Sequence, residues 1–423
     1  MGDSKKIKLN FSKNFLWGAS ISTHQVEGGN QNQWSSWELE TAQIKVAQAK
    51  YNYGNLPIWD EIKKDVQKPE NYVSGAACDH YNLYKQDFSI AKKLNFTTLR
   101  SGIEWSRIEP EEGKFDTDAI EHYKQYFVDM KKLNIKPVIT LWHWTFPDWF
   151  AAKGGFEKRR NIKYFVRFVK YITEQLGSNF GYVITINEPT VYAAMSYHER
   201  RWPPEQGSVF MMVRVMSNLA RAHRRSYKAI KKIRPQAKIG LAHHCTYYYP
   251  GDDSIFSKIS AKLAHKFGNE FFINKVKKHQ DFFGLNYYFA DRICGTRVHN
   301  TGSNKNDLGW DMQPDKLKPL IERLYSKYKK PILITESGVA DMHDKYRKWW
   351  IIQSVKAMDQ SIQNSIPLLG YIHWSLLDNF EWAEGFWPRF GLIEVDYKTM
   401  KRTPRKSAIW YGKLIKTVHE SNK

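Results

Sequence analysis

An α/β fold, a single (β/α)8 TIM barrel with elaborated βα loops over residues 1–423, is predicted by three features of the sequence. Eight short apolar or β-branched runs recur, longer amphipathic segments separate them, and no Gly-rich phosphate turn follows any of them. Eight strands alternating with helices favour a closed barrel, because an open doubly wound sheet usually has fewer strands and a GxGxxG turn. Barrels of about 250 residues grow by loop insertion to over 400, and no linker, repeat or low-complexity tract divides this chain, so one domain is expected.

The N-terminal stretch 1–11 is polar and lysine-rich, without the apolar stretch of a signal peptide. The first strand is expected at Phe15–Ser20. An insertion follows from about Glu38 to Ala77, helical early and punctuated by Pro and Asn later. The remaining strands are expected at Thr97–Glu104, Pro137–His143, Tyr182–Glu188, Lys238–His243, Asp281–Tyr287, Pro331–Glu336 and Leu368–Trp374. Between them, Ala119–Leu133 and Arg160–Leu176 place apolar residues at three- and four-residue steps, the period of a helix with one buried face.

Composition narrows the partners. Hydrophobic residues make up 42% and aromatic residues 15%, with 16 Trp, enough for a large core and an aromatic pocket lining. Lys and Arg, 65 in all, exceed the 43 Asp and Glu by 22, but they lie in short scattered runs such as Lys63-Lys64 and Lys329-Lys330. That distribution reads as a solvated basic surface, so no nucleic-acid partner is expected. No segment reaches the 18 or so apolar residues of a membrane span, so no membrane partner is expected either. The three cysteines, Cys78, Cys245 and Cys294, are odd in number and lack CxxC spacing, which fits a reducing, cytoplasmic location.

In such a barrel the reacting groups sit at the C-terminal ends of strands. Polar residues gather there: Gln25 and Glu27 after the first strand, Arg100 in the second, His143 ending the third, and Asn187-Glu188 ending the fourth. Asn286-Tyr287-Tyr288 closes the sixth, Glu336 ends the seventh and Trp374 closes the eighth. Glu188 and Glu336, on non-adjacent strands, are expected to face each other across the barrel mouth. Glycoside cleavage needs such a pair, one carboxyl protonated to donate to the leaving oxygen and one ionised to attack the anomeric carbon. Arg100 and a tyrosine hydroxyl are expected to favour the ionised form of Glu336.

The ordered motifs resemble those of glycoside hydrolase family 1, the β-glucosidase and β-galactosidase family. They run from Phe15-Leu16-Trp17-Gly18-Ala19-Ser20 and Gln25-Val26-Glu27-Gly28 through Glu104-Trp105-Ser106-Arg107-Ile108 and Thr185-Ile186-Asn187-Glu188-Pro189. They continue with Gly284-Leu285-Asn286-Tyr287-Tyr288, Ile334-Thr335-Glu336-Ser337-Gly338 and Trp374 to Trp382. The resemblance implies a retaining β-glycosidase that needs no cofactor or metal and acts on small β-glycosides or oligosaccharides. It makes Glu188 the acid/base, Glu336 the nucleophile, Asn187 a donor to the sugar 2-hydroxyl, and Arg100 and Tyr288 the residues that position Glu336. Gln25, His143 and Glu381 would bind the other hydroxyls, with Trp382 adding its indole N–H and Trp374 packing against the apolar sugar face.

Three segments depart from the family's commonest wording. Ser337 replaces Asn, Trp144-Thr145-Phe146 replaces Trp-Asp-Leu, and the stretch from His198 to Pro204 carries Arg200 and Arg201 where glycine is frequent. Glu381 would repel a sugar 6-phosphate, which favours neutral glucosides, galactosides or fucosides. A metal site at His243-His244 with His223 or His265 is set aside, since strand neighbours point to opposite faces. A transglycosylase and a non-catalytic sugar-binding barrel remain as alternatives; the oligomeric state is open.

Overall fold

The computed structural model describes residues 9–300 and 304–421, so residues 1–8 of the N-terminal stretch read above lie outside the described residues. Eight parallel strands close into a barrel: β1 (Leu16–Ser20), β2 (Thr98–Gly102), β3 (Lys136–Thr140), β4 (Tyr182–Asn187), β5 (Lys238–His244), β6 (Phe283–Tyr287), β7 (Ile332–Ser337) and β8 (Leu368–Trp374). Each pairs with the next, and β8 returns to β1 through Leu16 opposite Gly370 and Ser20 opposite Trp374.

Alternation along each strand divides the core into two layers. Leu16, Val138, Ile184, Ala242, Phe282, Leu333 and Ile372, from seven of the eight strand segments, fill the barrel interior. Their neighbours Trp17, Ile139, Val183, Leu241, Phe283, Ile334 and Tyr371 belong to the larger core shared with the helices. Helix 162–176 turns Phe165, Phe168, Val169, Ile172 and Leu176 into that layer. It begins two residues later than its periodicity suggests, because residues 159–161 form a separate 3-10 turn. Helix 117–132 starts where Asp116 Oδ1 accepts from Ala119 N at 2.9 Å.

Three strands end earlier than expected, β4 by the single residue Glu188, which is the N-cap residue of the helix that follows. β2 stops at Gly102 because Glu104 already begins the short helix 105–108. β3 stops at Thr140, so His143 lies in the turn beyond it; Leu141 N still reaches Ile184 O at 2.8 Å, after which the chain bends inward. The insertion starts five residues before Glu38, as a helix over Gln33–Tyr53. Asn32 fixes that start, its Oδ1 accepting from Trp34 N at 3.0 Å and Ser35 N at 3.1 Å, while Ser35 Oγ accepts from Asn32 N at 2.9 Å.

All three cysteines are free thiols. Among the described residues no helix is long and apolar enough to cross a membrane. His243 and His244 face opposite ways as expected: His243 Nε2 donates to Asn269 O at 3.1 Å, outside the barrel, while His244 points toward Glu188. His223 and His265 each bond a backbone carbonyl, at 2.8 Å and 2.9 Å.

Candidate active site

Both strands that carry a candidate carboxylate depart from regular pairing just before it. Between β4 and β5, Ile184 lies opposite Gly240 but Asn187 opposite Ala242, and between β7 and β6, Ile334 lies opposite Leu285 but Glu336 opposite Asn286. An extra residue in one strand rotates the side chains that follow, so each bulge re-aims the strand end toward the barrel mouth. Glu188 itself takes a left-handed conformation, φ 39°, held by its N–H donating to Ala242 O at 2.8 Å. Pro189 then opens helix 189–197, where its missing N–H is harmless. The glycine after Ser337 is required by close approach: a Cβ on Gly338 would lie 1.9 Å from Trp374 O.

Arg100, 1% exposed, joins the two strand ends. Its Nη1 donates to Glu336 Oε1 and to Thr335 O at 3.2 Å, its Nη2 to Asn187 Oδ1 at 2.7 Å, and its Nε to Thr140 Oγ1 at 3.0 Å. Tyr288 Oη donates to the other oxygen of Glu336 at 2.6 Å. Burial and the Glu336 charge push the Tyr288 hydroxyl well above its ordinary value, so it keeps the proton it donates. Both oxygens of Glu336 therefore accept, the arrangement an ionised carboxylate needs.

Glu188 is treated differently. Its Oε1 accepts from Asn286 Nδ2 at 2.7 Å, and among the described residues no Lys or Arg contacts it as Arg100 contacts Glu336. Burial first, and the charge of Glu336 second, push its pKa up to about 8. The carboxyl thus holds a proton at neutral pH. His244 lies beside it, Nδ1 at 3.9 Å from Glu188 Oε1, and burial lowers the imidazole to about 4, so it stays neutral there.

Arg100 also orients the next two groups. Because a guanidinium only donates, the atom of Asn187 facing it must be the oxygen, and the amide nitrogen then faces His143 Nε2 at 2.8 Å. Asn187 donates, Nε2 accepts, and the proton of the neutral His143 sits on Nδ1. Burial and the nearby Arg100 charge hold that ring well below its ordinary pKa. His143 Nδ1 and Gln25 Oε1 are both buried without a hydrogen-bond partner, one donor and one acceptor. Gln25 Nε2 donates to Asn379 Oδ1 at 2.9 Å and Phe380 O at 2.8 Å, with Glu381 Oε2 at 3.4 Å. Burial, then Glu336, raises Glu381 to about 8, while a hydrogen bond from Trp374 works the other way.

The apolar side is a wall of indoles. Trp382 lies 4.7 Å from Trp144 and from Trp34, centroid to centroid, and stacks on His24 at 5.6 Å. Trp202 closes over Trp144 at 4.5 Å. Trp374 packs with Ala340, Phe390, Tyr288 and Trp310.

All ten candidate residues thus gather at one end of the barrel. The departing segments leave their reacting groups in place. Ser337 points outward and accepts from Trp350 Nε1 at 3.0 Å; Trp144 Nε1 donates to Asn187 O at 3.0 Å and Thr145 Oγ1 to Glu104. Arg201 is drawn into an ion pair with Glu384 at 2.6 Å, and Arg200 remains exposed. The sequence reading missed Asn286 as a contact of Glu188, His244 as its neighbour, Thr140 and Thr335 as partners of Arg100 and Asn286, and the insertion's Trp34. The strand-end rule applied to His244 and Asn286 was the available signal; Trp34 had none.

The glycosyl hydrolase family 1 model matches residues 7–280 and 273–420. The chain belongs to glycosyl hydrolase family 1. It is a glycoside hydrolase with that family's barrel. A curated relative, the 1,4-beta-D-glucan glucohydrolase of Thermotoga neapolitana, is 29% identical over 96% of this chain and 98% of its own length. The β-glycosidase from Pyrococcus horikoshii superposes with a TM-score of 0.86 at 32% identity, covering 97% of this chain and 96% of that one. The Thermotoga maritima β-glucosidase in complex with glucoimidazole gives 0.85 at 26%, covering 97% and 100%.

Proposed function

We propose that this family 1 member is a retaining, exo-acting β-glucosidase, active also on galactosides or fucosides, that hydrolyses small β-glycosides and oligosaccharides in the cytoplasm as a single domain. One observation carries the reading: the two strand-end carboxyls are held differently, Glu336 by a guanidinium and a hydroxyl on its two oxygens and Glu188 by an amide on one of its own. Glu188 is kept protonated by burial and by the Glu336 charge, while Glu336 accepts from Arg100 and Tyr288.

In the first step a Glu336 oxygen attacks the anomeric carbon as the C–O bond to the leaving group breaks, and the departing oxygen takes the Glu188 proton. An ester joins Glu336 to the sugar. Burial still raises Glu188, but ester formation removes the second contribution, the Glu336 charge, so Glu188 gives up its proton more readily and as a carboxylate takes one from water. That water attacks the same carbon from the face the aglycone left, and the ester bond breaks. Two inversions leave the β configuration unchanged.

The unpartnered His143 Nδ1–H and Gln25 Oε1 are a donor and an acceptor for sugar hydroxyls, and Asn187 Nδ2 keeps one N–H for the 2-hydroxyl. Glucose as the main sugar is supported by the names of the relatives, one a glucohydrolase and one bound to glucoimidazole. Burial holds Glu381 at about 8, so at neutral pH it carries a proton, and its charge opposes a sugar 6-phosphate only as pH rises past that value.

The test is the first product formed. Proton NMR of fresh digests of an aryl β-glucoside is expected to show the β anomer before mutarotation; the α anomer appearing first would exclude double displacement. For the roles, Glu188→Ala is expected to slow poor leaving groups about 10²–10⁴-fold and activated aryl groups far less. Equal losses would remove Glu188 as the acid.

A further inference from the structure

Helix 255–264, continued by a wider π-helical turn over 265–270, packs with its polar side onto a small sheet outside the barrel, formed by residues 247–250 and 290–294. The inward positions, four residues apart, are Ser257, Ala261, His265 and Asn269, all buried. The outward ones are Ile255, Phe256, Ile259, Leu263 and Phe267, with exposures of 67, 70, 49, 45 and 62%. A surface helix ordinarily turns its apolar stripe to the core. Here hydrogen bonds hold the reverse orientation. Ser257 Oγ accepts from Gly295 N at 2.7 Å, His265 Nε2 donates to Tyr248 O at 2.9 Å, and Asn269 Nδ2 donates to Thr246 O at 2.7 Å.

Lys258, Lys262 and Lys266 run beside the stripe at the same four-residue spacing, all exposed. The acids nearby are Asp252 and Asp253 before the helix and Glu270 after the stripe; Glu270 is already paired with Arg323 and Lys327, and Asp253 meets Lys258 at 3.4 Å in an exposed pair that solvent screens. The segment leading into the helix, residues 247–250, leaves β5 at the end where His244 meets Glu188, so the stripe begins at the active-site end. Val209 and Phe210, 55% and 72% exposed, open helix 209–233 at that same end.

A second copy of the chain on this face would set the lysines of one protomer against the same lysines of the other. The net charge of +22 adds to that repulsion. An anionic lipid surface meets both chemistries at once: Phe and Ile side chains enter the headgroup boundary, and lysine stems lie along them while the ammonium groups meet phosphates. We propose that the 255–267 face is a peripheral docking surface for anionic lipid. The sequence reading set membranes aside because no segment can span one; a helix lying on the surface needs no such length.

The test uses the whole protein and vesicles of phosphatidylcholine, with or without phosphatidylglycerol. The protein is expected to co-sediment with the anionic vesicles, to stay in solution with the neutral ones, and to release as salt rises. A triple variant Phe256→Ser, Ile259→Ser, Phe267→Ser and a second, Lys258→Glu, Lys262→Glu, Lys266→Glu, should each bind about tenfold less or weaker still while hydrolysing a soluble aryl glycoside at the unaltered rate. No binding to anionic vesicles, or binding that both variants retain, would overturn the proposal. So would a dimer in light scattering that the apolar variant dissolves, since the face would then serve self-association.

Discussion

Keeping Glu188 protonated has a consequence for stability that can be measured without any substrate. In the folded protein this carboxyl titrates near 8, pushed up by burial and then by Glu336; in the unfolded chain it returns to about 4.5. Between those values the folded state keeps a proton that the unfolded state has lost, so folding weakens as pH rises through the window. The gap of 8 − 4.5 = 3.5 in pH, at about 1.36 kcal/mol each, amounts to about 5 kcal/mol above pH 8. Glu188→Gln keeps the shape and an oxygen for Asn286 but cannot ionise. The variant is expected to gain stability over the parent as pH rises from 5 to 8.5. Glu381, also raised, is common to both proteins and cancels in the comparison. From pH 5 to the folded value about 3 pH units are crossed, about 4 kcal/mol, and for a chain of this size each kcal/mol moves the melting temperature by roughly 1–2 °C, so the gap should widen by about 4–8 °C in scanning calorimetry. A constant gap across that range, or a Gln variant that is the less stable at pH 8.5, would refute the reasoning.

Other perturbations follow from the same contacts. The kcat/KM profile should fall above about pH 8 in the native enzyme, and Glu188→Ala should lack that limb with an activated substrate; an unchanged limb in the variant would assign it to another group. Asn286→Ala removes a hydrogen bond that favours the ionised form of Glu188, so the limb should move to higher pH, and a downward move would contradict the assigned direction. Arg100→Lys replaces a fork reaching Glu336, Asn187 and Thr140 with a single point charge. It should lower kcat about 10²-fold with the circular dichroism intact, and a loss of only a few-fold would show that Arg100 does not set the site.

The barrel was legible because its signal is repeated. Eight apolar runs survive a misplaced boundary in any one of them, and strands expected to reach Glu104 and His143 stop at Gly102 and Thr140 without changing the topology. The site residues at strand ends were legible for the related reason that parallel strands deliver their C-terminal ends to one face. The two bulges ahead of Asn187 and Glu336 were not legible, since strict alternation contains no mark of an extra residue. Nor was the role of the insertion. The sequence marks Glu38 only as the approximate start of the insertion, yet it is fully buried, accepts from Ser74, and pairs with His24, which stacks on Trp382. Long-range partners of that kind leave no trace in local spacing. The reversed helix 255–264 was missed for the opposite reason: its period is regular, and periodicity alone does not say which stripe faces inward.

The central claim is that Glu336 forms a bond to the sugar while Glu188 does not. An activated 2-deoxy-2-fluoro-β-glucoside, which forms the ester but hydrolyses slowly, followed by peptide mapping in a mass spectrometer, tests this directly. The account predicts one sugar adduct per chain, on the peptide and side chain of Glu336, and none in Glu336→Gln. An adduct on Glu188, or turnover without any adduct and with release of the α anomer, would contradict it.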